Sequence, residues 1–364
     1  MARWEHEVDY NLTESGVHAV PLRDLLPDSC ALQELLAIEL SYPQTDGPLP
    51  LRRNIASLYD GAAPENVLCT VGAIEANGIT LAALLDPGDE VAFLTPNYMQ
   101  LWGMALNAGM RVNTFNLRET DGSWRLDEES LQQAVTDKTR LIAVTNPNNP
   151  TGHILREHEI NALINAAERV GAWILTDEVY SGTERLTDVQ TPSLWGRYDK
   201  VLAIGSLSKA YGLPGLRLGW VVASTEVMDQ IWQRHEYAAI SGAKLATHLA
   251  TIALSPEVRP GLIERTRKYV REGFPLVDSW LRENGDHFGS SESEAGAFAF
   301  VRTPVRDNVE TFIHQIREAK SVLVVPGNHF GMDGYMRLST GLEANYLQTG
   351  LDRIAEFANE SATA

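Results

Sequence analysis

Residues 200–224 read KVLAIGSLSKAYGLPGLRLGWVVAS, two short apolar runs on either side of a polar, glycine-rich segment. Similar apolar runs precede this stretch, and they do not alternate apolar with polar residues. Continuous apolar character is typical of strands that are buried on both faces of a largely parallel sheet. The runs are VLCTVG (67–72), EVAFLTP (90–96), RLIAVTNP (140–147), AWILTDEV (172–179), KVLAIGSLS (200–208) and LGWVVAS (218–224).

Helical patterns separate these runs. In EHEINALINAAERVG (157–171), the apolar positions Ile160, Leu163 and Ile164 and then Ala167 lie on one face of a helix. Gly171 follows them as a C-terminal stop. Alternating strands and helices predict an α/β sheet with helices on both faces.

The pattern changes after residue 255, which divides the chain into two predicted domains. A large domain is expected over residues 38–255. Beyond it, a charged helical stretch leads to AGAFAFVR (295–302), a helix near 308–320, SVLVVPG (321–327), RLS (337–339) and a last helix near 345–359. This order predicts a smaller α+β domain built from residues 1–37 and 256–364, with the N-terminal segment packed against the rest.

The composition limits the classes of partner. The chain has 364 residues, with 30 Lys and Arg against 48 Asp and Glu, a formal charge of −18. Because nucleic acids and anionic membranes are polyanions, this acidity argues against both as partners. No apolar run nears the ~20 residues of a membrane helix, and the start, MARWEHEVDY, lacks the pattern of a signal peptide. Cys30 and Cys69 are expected to be buried reduced thiols, so we expect a cytoplasmic protein.

Motifs for several other cofactors are missing from the sequence. It contains no G-x-G-x-x-G after the first strand and no G-x-x-x-x-G-K-[ST]. Its histidines and carboxylates do not fall into a metal-binding spacing. We therefore predict neither a dinucleotide site, nor a P-loop, nor a metal site.

Polar residues follow the apolar runs, where each predicted strand ends. Ligands of open α/β sheets bind at the carboxyl ends of the strands. These polar groups are therefore expected to converge on one sheet edge. They are Gly72-Ala73, Asn97-Tyr98, residues 146–152, residues 177–180 and residues 206–209.

Two of these groups suggest specific chemistry. Lys209 lies between Ser206 and Arg217, which with backbone N–H groups would grip an anion, and a partly desolvated lysine amine forms Schiff bases readily. Asp177 ends a strand, where it serves as a helix cap, forms a salt bridge, or keeps a heterocycle nitrogen protonated. Tyr180, three residues later, is placed to donate its hydroxyl to the same ring.

The motifs together resemble the fold-type I pyridoxal-5′-phosphate enzymes, and within them the class I/II aminotransferase family. The resemblance covers roughly residues 40–355 and implies a mostly parallel, seven-stranded-type sheet. The matching residues are Asn-Pro-Thr-Gly at 149–152, Asp-Glu-Val-Tyr at 177–180, Ser-Leu-Ser-Lys at 206–209, Gly212, Gly215, Arg217, Gly219 and Arg-Leu-Ser at 337–339.

The resemblance implies a role for each matching residue. Lys209 would form the internal aldimine and move the proton, and Asp177 would pair with the pyridine nitrogen. Tyr180 and Asn149 would bind the phenolic oxygen of the cofactor, and Arg337 would grip the substrate carboxylate. The resemblance also implies that Tyr98 stacks on the cofactor ring and that Tyr42 contacts the phosphate of a neighbouring subunit. The residues implied to bind the phosphate within the chain are Gly72, Ala73, Ile74, Ser206 and Arg217. A homodimer is therefore expected.

The amino terminus departs from the family pattern. Where many members have a Gly-Glu-Pro-like turn, this chain has YNLTESGVHAV at 10–20. Gly16 is a candidate for the backbone contact to substrate, and Glu14 for binding a cationic side chain such as a guanidinium. His329, in VPGNHFG, is a further candidate for a substrate contact.

The resemblance leaves the reaction open between two outcomes. The first is transfer of an amino group between an L-amino acid and a 2-oxo acid. The second is elimination and cyclisation of an arginine-type or other amino acid, as in capreomycidine synthase-like enzymes, because both begin with loss of the Cα proton. A third interpretation, a non-catalytic cofactor-binding domain, is disfavoured by the intact Lys209.

Overall fold

A computed structural model of the chain describes residues 3–26 and 28–363. Its strands are β1 (Tyr10–Asn11), β2 (Val67–Thr70), β3 (Glu90–Thr95), β4 (Arg111–Thr120), β5 (Ser123–Leu126), β6 (Thr139–Thr145), β7 (Trp173–Asp177), β8 (Val201–Ser206), β9 (Gly219–Val222), β10 (Gly289–Ser290), β11 (Phe298–Arg302), β12 (Val322–Leu323), β13 (Val325–Pro326) and β14 (Tyr335–Ser339).

Helices connect most of these strands. They are α1 (Leu22–Leu25), α2 (Ser29–Leu36), α3 (Leu49–Ala56), α4 (Gly72–Leu84), α5 (Gln100–Asn107), α6 (Glu128–Ala134), α7 (Glu157–Val170), α8 (Thr225–Ala238), α9 (Lys244–Ala253), α10 (Arg259–Glu283), α11 (Val309–Lys320) and α12 (Ala344–Thr363). Short 3-10 turns add Pro64–Asn66, Pro214–Leu216 and Gly327–Phe330.

A mostly parallel sheet forms the centre of the molecule, as the apolar runs predict. Its strand order is β2-β9-β8-β7-β6-β3-β4-β5. The pairs β8-β7, β7-β6, β6-β3 and β3-β4 are parallel, whereas β9 runs antiparallel to both of its neighbours. The fold class is confirmed, with an eighth strand beyond the expected seven. This strand, β5, forms one edge of the sheet and pairs antiparallel with β4 through a turn at Asp121 and Gly122, both with positive φ.

Two apolar layers cover the faces of this sheet. All six residues of β3 are buried. Their side chains pack alternately into one apolar layer and the other, because successive side chains of a strand point to opposite faces. Phe93 packs with residues of α4 and α8, while Ala92 and Leu94 pack with residues of α6 and α7. The predicted face of α7 is buried, and Gly171 ends that helix with φ of 68°.

A second, smaller sheet lies after residue 255. It has the order β10-β11-β14-β13, is antiparallel throughout, and shares a core with residues of α10, α11 and α12. The N-terminal strand β1 pairs with β12, and Leu12 lies in that same core. Leu25 instead packs with residues of α3 and α9 in a core that also includes strands of the large sheet. The domain boundaries at residues 38 and 255 stay predictions.

The two cysteines differ in their surroundings. Cys69 is buried, and burial raises the pKa of its thiol to about 12. Cys30 is exposed, so the prediction that it is buried was wrong. It lies on α2, a helix with no buried residue, in which only Leu35 packs partly buried against a core. Within residues 3–26 and 28–363, none of the helices is long and apolar enough to cross a membrane.

Candidate active site

A cavity of about 700 Å³ opens where the strands β6, β7 and β8 end. Most of the predicted site residues line it, although they come from distant parts of the chain. The lining includes Glu14, Ala73, Ile74, Tyr98, Asn149, Asp177, Tyr180, Ser206, Lys209, Arg217, His329 and Arg337. The cavity therefore brings together residues of both sheets and of the N-terminal segment.

Asp177 is a buried carboxylate at the end of β7. It accepts hydrogen bonds from the Asn77 side chain at 3.1 Å and from the Val179 backbone N–H at 3.2 Å. Burial raises its pKa to about 6, in spite of these two donors. No ion pair joins it to a cation in the described part of the chain, so a cation placed beside it would be strongly stabilised.

Lys209 lies in the turn after β8 and contacts the N-terminal segment. Its Nζ donates to Glu14 Oε1 at 3.0 Å. The same carboxylate oxygen accepts from the backbone N–H groups of Ser15 and Gly16, both at 2.9 Å. Although burial works to raise the pKa of Glu14, the Lys209 ammonium and these donors lower it overall. The amine is therefore held inside the cavity rather than extended to solvent.

An anion cradle lies at the start of α4. The helix begins at Gly72, whose φ is +76°, and the first N–H groups of a helix have no partner within it. A Cβ on Gly72 would lie 2.7 Å from Arg217 Nη2, and one on Gly219 would lie 2.5 Å from the Ala73 nitrogen. Glycine at 72 thus lets the Arg217 guanidinium approach the helix N-terminus, and glycine at 219 lets β9 pack against the first residues of that helix. The guanidinium and the helix N-terminus together favour a phosphate.

Arg337 enters the cavity from β14 of the smaller sheet. It is buried, and donates to Asn149 Oδ1 at 2.8 Å and to the Thr13 carbonyl at 2.6 Å. Its Nε has no hydrogen-bond partner among the described residues. Burial lowers its pKa, as expected for a cation without an acidic partner. This is the environment of a guanidinium that binds a carboxylate in a bidentate pair.

Two tyrosines complete the walls. Tyr98 is 46% exposed to the cavity, and burial raises the pKa of its hydroxyl. Tyr180 is buried, with its ring edge-on to Phe298 at a centroid distance of 5.2 Å. The two side chains leave between them and Asp177 a space bounded by aromatic rings, which suits a flat heterocycle.

The remaining predicted residues occupy different positions. A Cβ on Gly16 would lie 3.7 Å from the Lys209 side chain, so its backbone is near the amine. His329 lies in the lining, with Nε2 3.7 Å from Glu310 Oε1. Tyr42 is 81% exposed and does not line the cavity of its own chain.

The sequence did not identify several lining residues, among them Asn77 and Glu5. Asn77 lies one helical turn after Ala73, so the helical spacing could have placed it on the same face as the anion cradle. Glu5 reaches the cavity from the N-terminal segment, which has no regular secondary structure that would reveal its direction.

These groups fit pyridoxal 5′-phosphate. Arg217 and the helix N-terminus at Gly72 suit a phosphate. The buried Asp177 lacks a cation that a protonated pyridine nitrogen would supply, and Lys209 offers an amine to the aldehyde. The orphaned Nε of Arg337 fits the carboxylate of an amino acid. The fold and the site thus define a pyridoxal-phosphate-dependent enzyme.

Comparison with known proteins gives the family. Residues 35–354 match the family described as aminotransferase class I and II, and the chain belongs to that family. It is similar to capreomycidine synthase of Streptomyces vinaceus, with 30% identity over 95% of this chain and 89% of the relative. It is also similar to aspartate aminotransferase of Thermotoga maritima, with 29% identity over 88% of this chain and 84% of the relative.

The fold matches that of a solved member. The crystal structure of a PLP-dependent aminotransferase from Streptococcus suis has a TM-score of 0.90 and 31% identity, and the match covers 99% of this chain and 96% of that one. The predictions of the family, the fold class and the cofactor are therefore confirmed.

Proposed function

We propose that this protein transfers the amino group of an L-amino acid to a 2-oxo acid, with pyridoxal 5′-phosphate as the carrier. The observation that carries the proposal is the convergence of Lys209, Asp177 and Arg337 on one cavity. These are a nucleophilic amine, a buried carboxylate and a buried guanidinium. The similarity to aminotransferases supports the same reaction.

The residues around the cofactor have separate roles. Pyridoxal phosphate, when bound, supplies an electron-poor ring that makes the substrate Cα–H acidic. Asp177 holds a proton at the ring nitrogen, because its buried negative charge favours the cationic form of that nitrogen. Lys209 would hold the cofactor through its amine; when the substrate amine takes that place, Lys209 Nζ would be the base that takes the Cα proton and the acid that gives it to the carbon that carried the aldehyde.

The other residues fix the geometry of the substrate and the ring. Arg337 binds the substrate α-carboxylate and so orients the Cα–H bond toward Lys209. Asn149 accepts from Arg337 through Oδ1, which leaves its amide N–H groups to donate to the phenolic oxygen with Tyr180. Tyr98 stacks on the ring. We include Gly16 and His329 as substrate contacts at the mouth of the cavity.

A single-turnover experiment tests this function. The loaded enzyme is mixed with each member of an amino-acid panel, and the cofactor and organic products are identified by mass spectrometry. We expect pyridoxamine phosphate and the matching 2-oxo acid in equal amounts, and no conversion by Lys209→Ala. Release of ammonia with the cofactor still in its aldehyde form would contradict amino transfer.

A second candidate function is elimination with cyclisation of an amino acid that carries a cationic side chain, such as arginine. The specific observation is acidic charge on the substrate side, where Glu5 and Glu14 line the cavity. Once Lys209 is linked to the cofactor, Glu14 is available for a cation of the substrate. The similarity to capreomycidine synthase also favours it.

The panel separates the two candidates if it includes arginine and its hydroxylated forms. Elimination predicts release of water from a hydroxylated arginine, a cyclic product and no pyridoxamine phosphate. Glu14→Gln should then lower the use of arginine-type substrates and spare that of alanine. Equal use of both classes by the wild type and by Glu14→Gln would argue against this candidate.

We also propose a homodimer. Large apolar side chains are exposed along the N-terminal segment, including Leu36 at 71%, Leu40 at 78% and Tyr42 at 81%. Tyr42 reaches the phosphate of the second subunit in this proposal. Light scattering should give twice the chain mass, and Tyr42→Phe should weaken cofactor binding while the dimer persists. A monomer that binds cofactor normally would refute the assignment. A cytoplasmic location stays a prediction.

A further inference from the structure

A buried histidine–glutamate pair lies behind the anion cradle. Glu75 belongs to the first turn of α4 and His235 to α8, and Nδ1 of His235 lies 2.8 Å from Oε1 of Glu75. The His235 side chain is 0% exposed and that of Glu75 is 10% exposed. Neither side chain lines the cavity, yet the two titratable groups are held together beside the start of α4.

Glu75 anchors the turn that precedes the helix. Its Oε2 accepts a hydrogen bond from the Val71 backbone N–H at 2.5 Å. Val71 is the N-cap residue of α4, but its apolar side chain cannot accept a hydrogen bond from the N–H groups of the helix. The carboxylate therefore satisfies the N–H that lies outside the cradle and leaves those of Gly72, Ala73 and Ile74 for an anion. The direction of these N–H groups depends on where Glu75 is held.

A carboxylate at this place would by itself oppose a phosphate. Both anions are stabilised by the same helix N-terminus, and they repel each other. His235 removes the conflict. Its Nε2 lies 3.1 Å from the Thr45 carbonyl, which can only accept, so Nε2 carries a proton. The contact with Glu75 then needs a second proton between Nδ1 and Oε1. Wherever that proton lies, the pair has no net negative charge.

The same histidine also contacts the segment that carries Tyr42, which in the proposed dimer reaches the phosphate of the second subunit. Thr45 lies three residues after Tyr42, and its hydroxyl accepts a hydrogen bond from Trp232 Nε1 at 3.1 Å. Both Trp232 and His235 belong to α8. This helix therefore ties the segment that carries Tyr42 to the turn that begins α4.

We propose that Glu75 and His235 are positioning residues for the cofactor phosphate. Glu75 fixes the turn so that its N–H groups face the anion, and His235 neutralises Glu75 so that the fixed carboxylate does not compete with that anion. The inference rests on the cofactor alone and is independent of whether amino transfer or elimination follows.

The test compares two ligands that differ only in the phosphate. Apoenzyme is titrated with pyridoxal 5′-phosphate and with pyridoxal, and both are followed by absorbance. Both react with Lys209 in the same way, so the ratio of their dissociation constants isolates the phosphate site. Glu75→Ala should raise the constant for pyridoxal phosphate about tenfold, or ~1.4 kcal/mol, and change that for pyridoxal less than about twofold.

Glu75→Gln is the matched control. Its amide oxygen accepts from the Val71 N–H, its NH₂ donates to a neutral His235 Nδ1, and Nε2–H still donates to the Thr45 carbonyl. All three contacts persist without a carboxylate, so binding of pyridoxal phosphate should stay within about twofold of the wild type.

A second variant, His235→Gln, tests the proposal if Glu75→Ala does not fold. His235→Gln keeps a donor for Thr45 but leaves Glu75 ionised behind the cradle, and it should weaken pyridoxal phosphate selectively. Thermal unfolding of each apoenzyme checks that the fold is intact. Equal weakening of both ligands, or wild-type affinity in Glu75→Ala and His235→Gln, would overturn the proposal.

Discussion

Replacing Asp177 by Asn removes one buried charge from the site and little else. The amide has nearly the same shape as the carboxylate and can still accept from Asn77 or from the Val179 N–H. Asp177 is 6% exposed, so water screens it weakly. A pair of unit charges about 4 Å apart interacts by about 4 kcal/mol at an effective dielectric constant of 20. We therefore expect the cofactor nitrogen to lose its proton in the variant.

That interaction energy corresponds to a loss of roughly 10³-fold in the rate of the chemical step. The assay is the single-turnover reaction of loaded enzyme with its best amino acid, followed by stopped-flow absorbance. Glu178→Gln is the matched control, because Glu178 is the adjacent buried carboxyl, binds Ser193 and the Leu194 N–H, and does not line the cavity. A rate for Asp177→Asn within tenfold of both wild type and control would show that the charge of Asp177 does not govern the chemical step.

Three further predictions concern stability, substrate binding and the amine. Burial raises the pKa of Asp177 from 3.8 to about 6, so the folded apoenzyme holds this proton more tightly than the unfolded chain does. Relative to Asp177→Asn, the wild-type apoenzyme should therefore lose up to about 3 kcal/mol of unfolding free energy as the pH rises from 4 to 7. Urea unfolding at each pH measures this, and parallel pH profiles of the two proteins would contradict it. Arg337→Ala should raise KM for amino acids at least about 100-fold, because it removes the buried bidentate partner of the substrate carboxylate. Cofactor affinity, measured by titration, should stay within about threefold of the wild type. An unchanged KM would exclude the assigned role of Arg337. Lys209→Ala removes the cation that lowers the pKa of Glu14, so the pKa of the Glu14 carboxyl should rise in that apoenzyme. Carbon-13 NMR of the labelled carboxyl measures this, and an unchanged or lower pKa would contradict the pairing.

The sequence predicted the large sheet well, because burial on both faces leaves a strong apolar signal. It also indicated the cavity residues that follow strands, such as Asp177 and Lys209, because parallel strands bring their carboxyl ends to one edge. The run at 321–327 is one continuous apolar segment in the sequence, but the chain leaves the pairing with β1 after Leu323 and joins the smaller sheet at Val325. Such a change of partner has no local signal.

Other features depend on contacts between distant segments. Glu5 reaches the cavity from a segment without regular structure, and its position depends on packing that no local pattern encodes. The pair Glu75 and His235 joins residues far apart in the chain, and each alone is typical of an ordinary helix surface. Cys30 was predicted as buried from its residue type, but its helix α2 has no buried residue and only Leu35 of that helix packs partly buried against a core.

The most direct test of the account is to locate the covalent link between enzyme and cofactor. The loaded protein is reduced with borohydride, digested, and mapped by mass spectrometry. We expect a phosphopyridoxyl group on Lys209 in the wild type and on no lysine in Lys209→Ala. A modification on a different lysine of the wild type, or an unmodified Lys209 in protein that holds stoichiometric cofactor, would contradict the central claim.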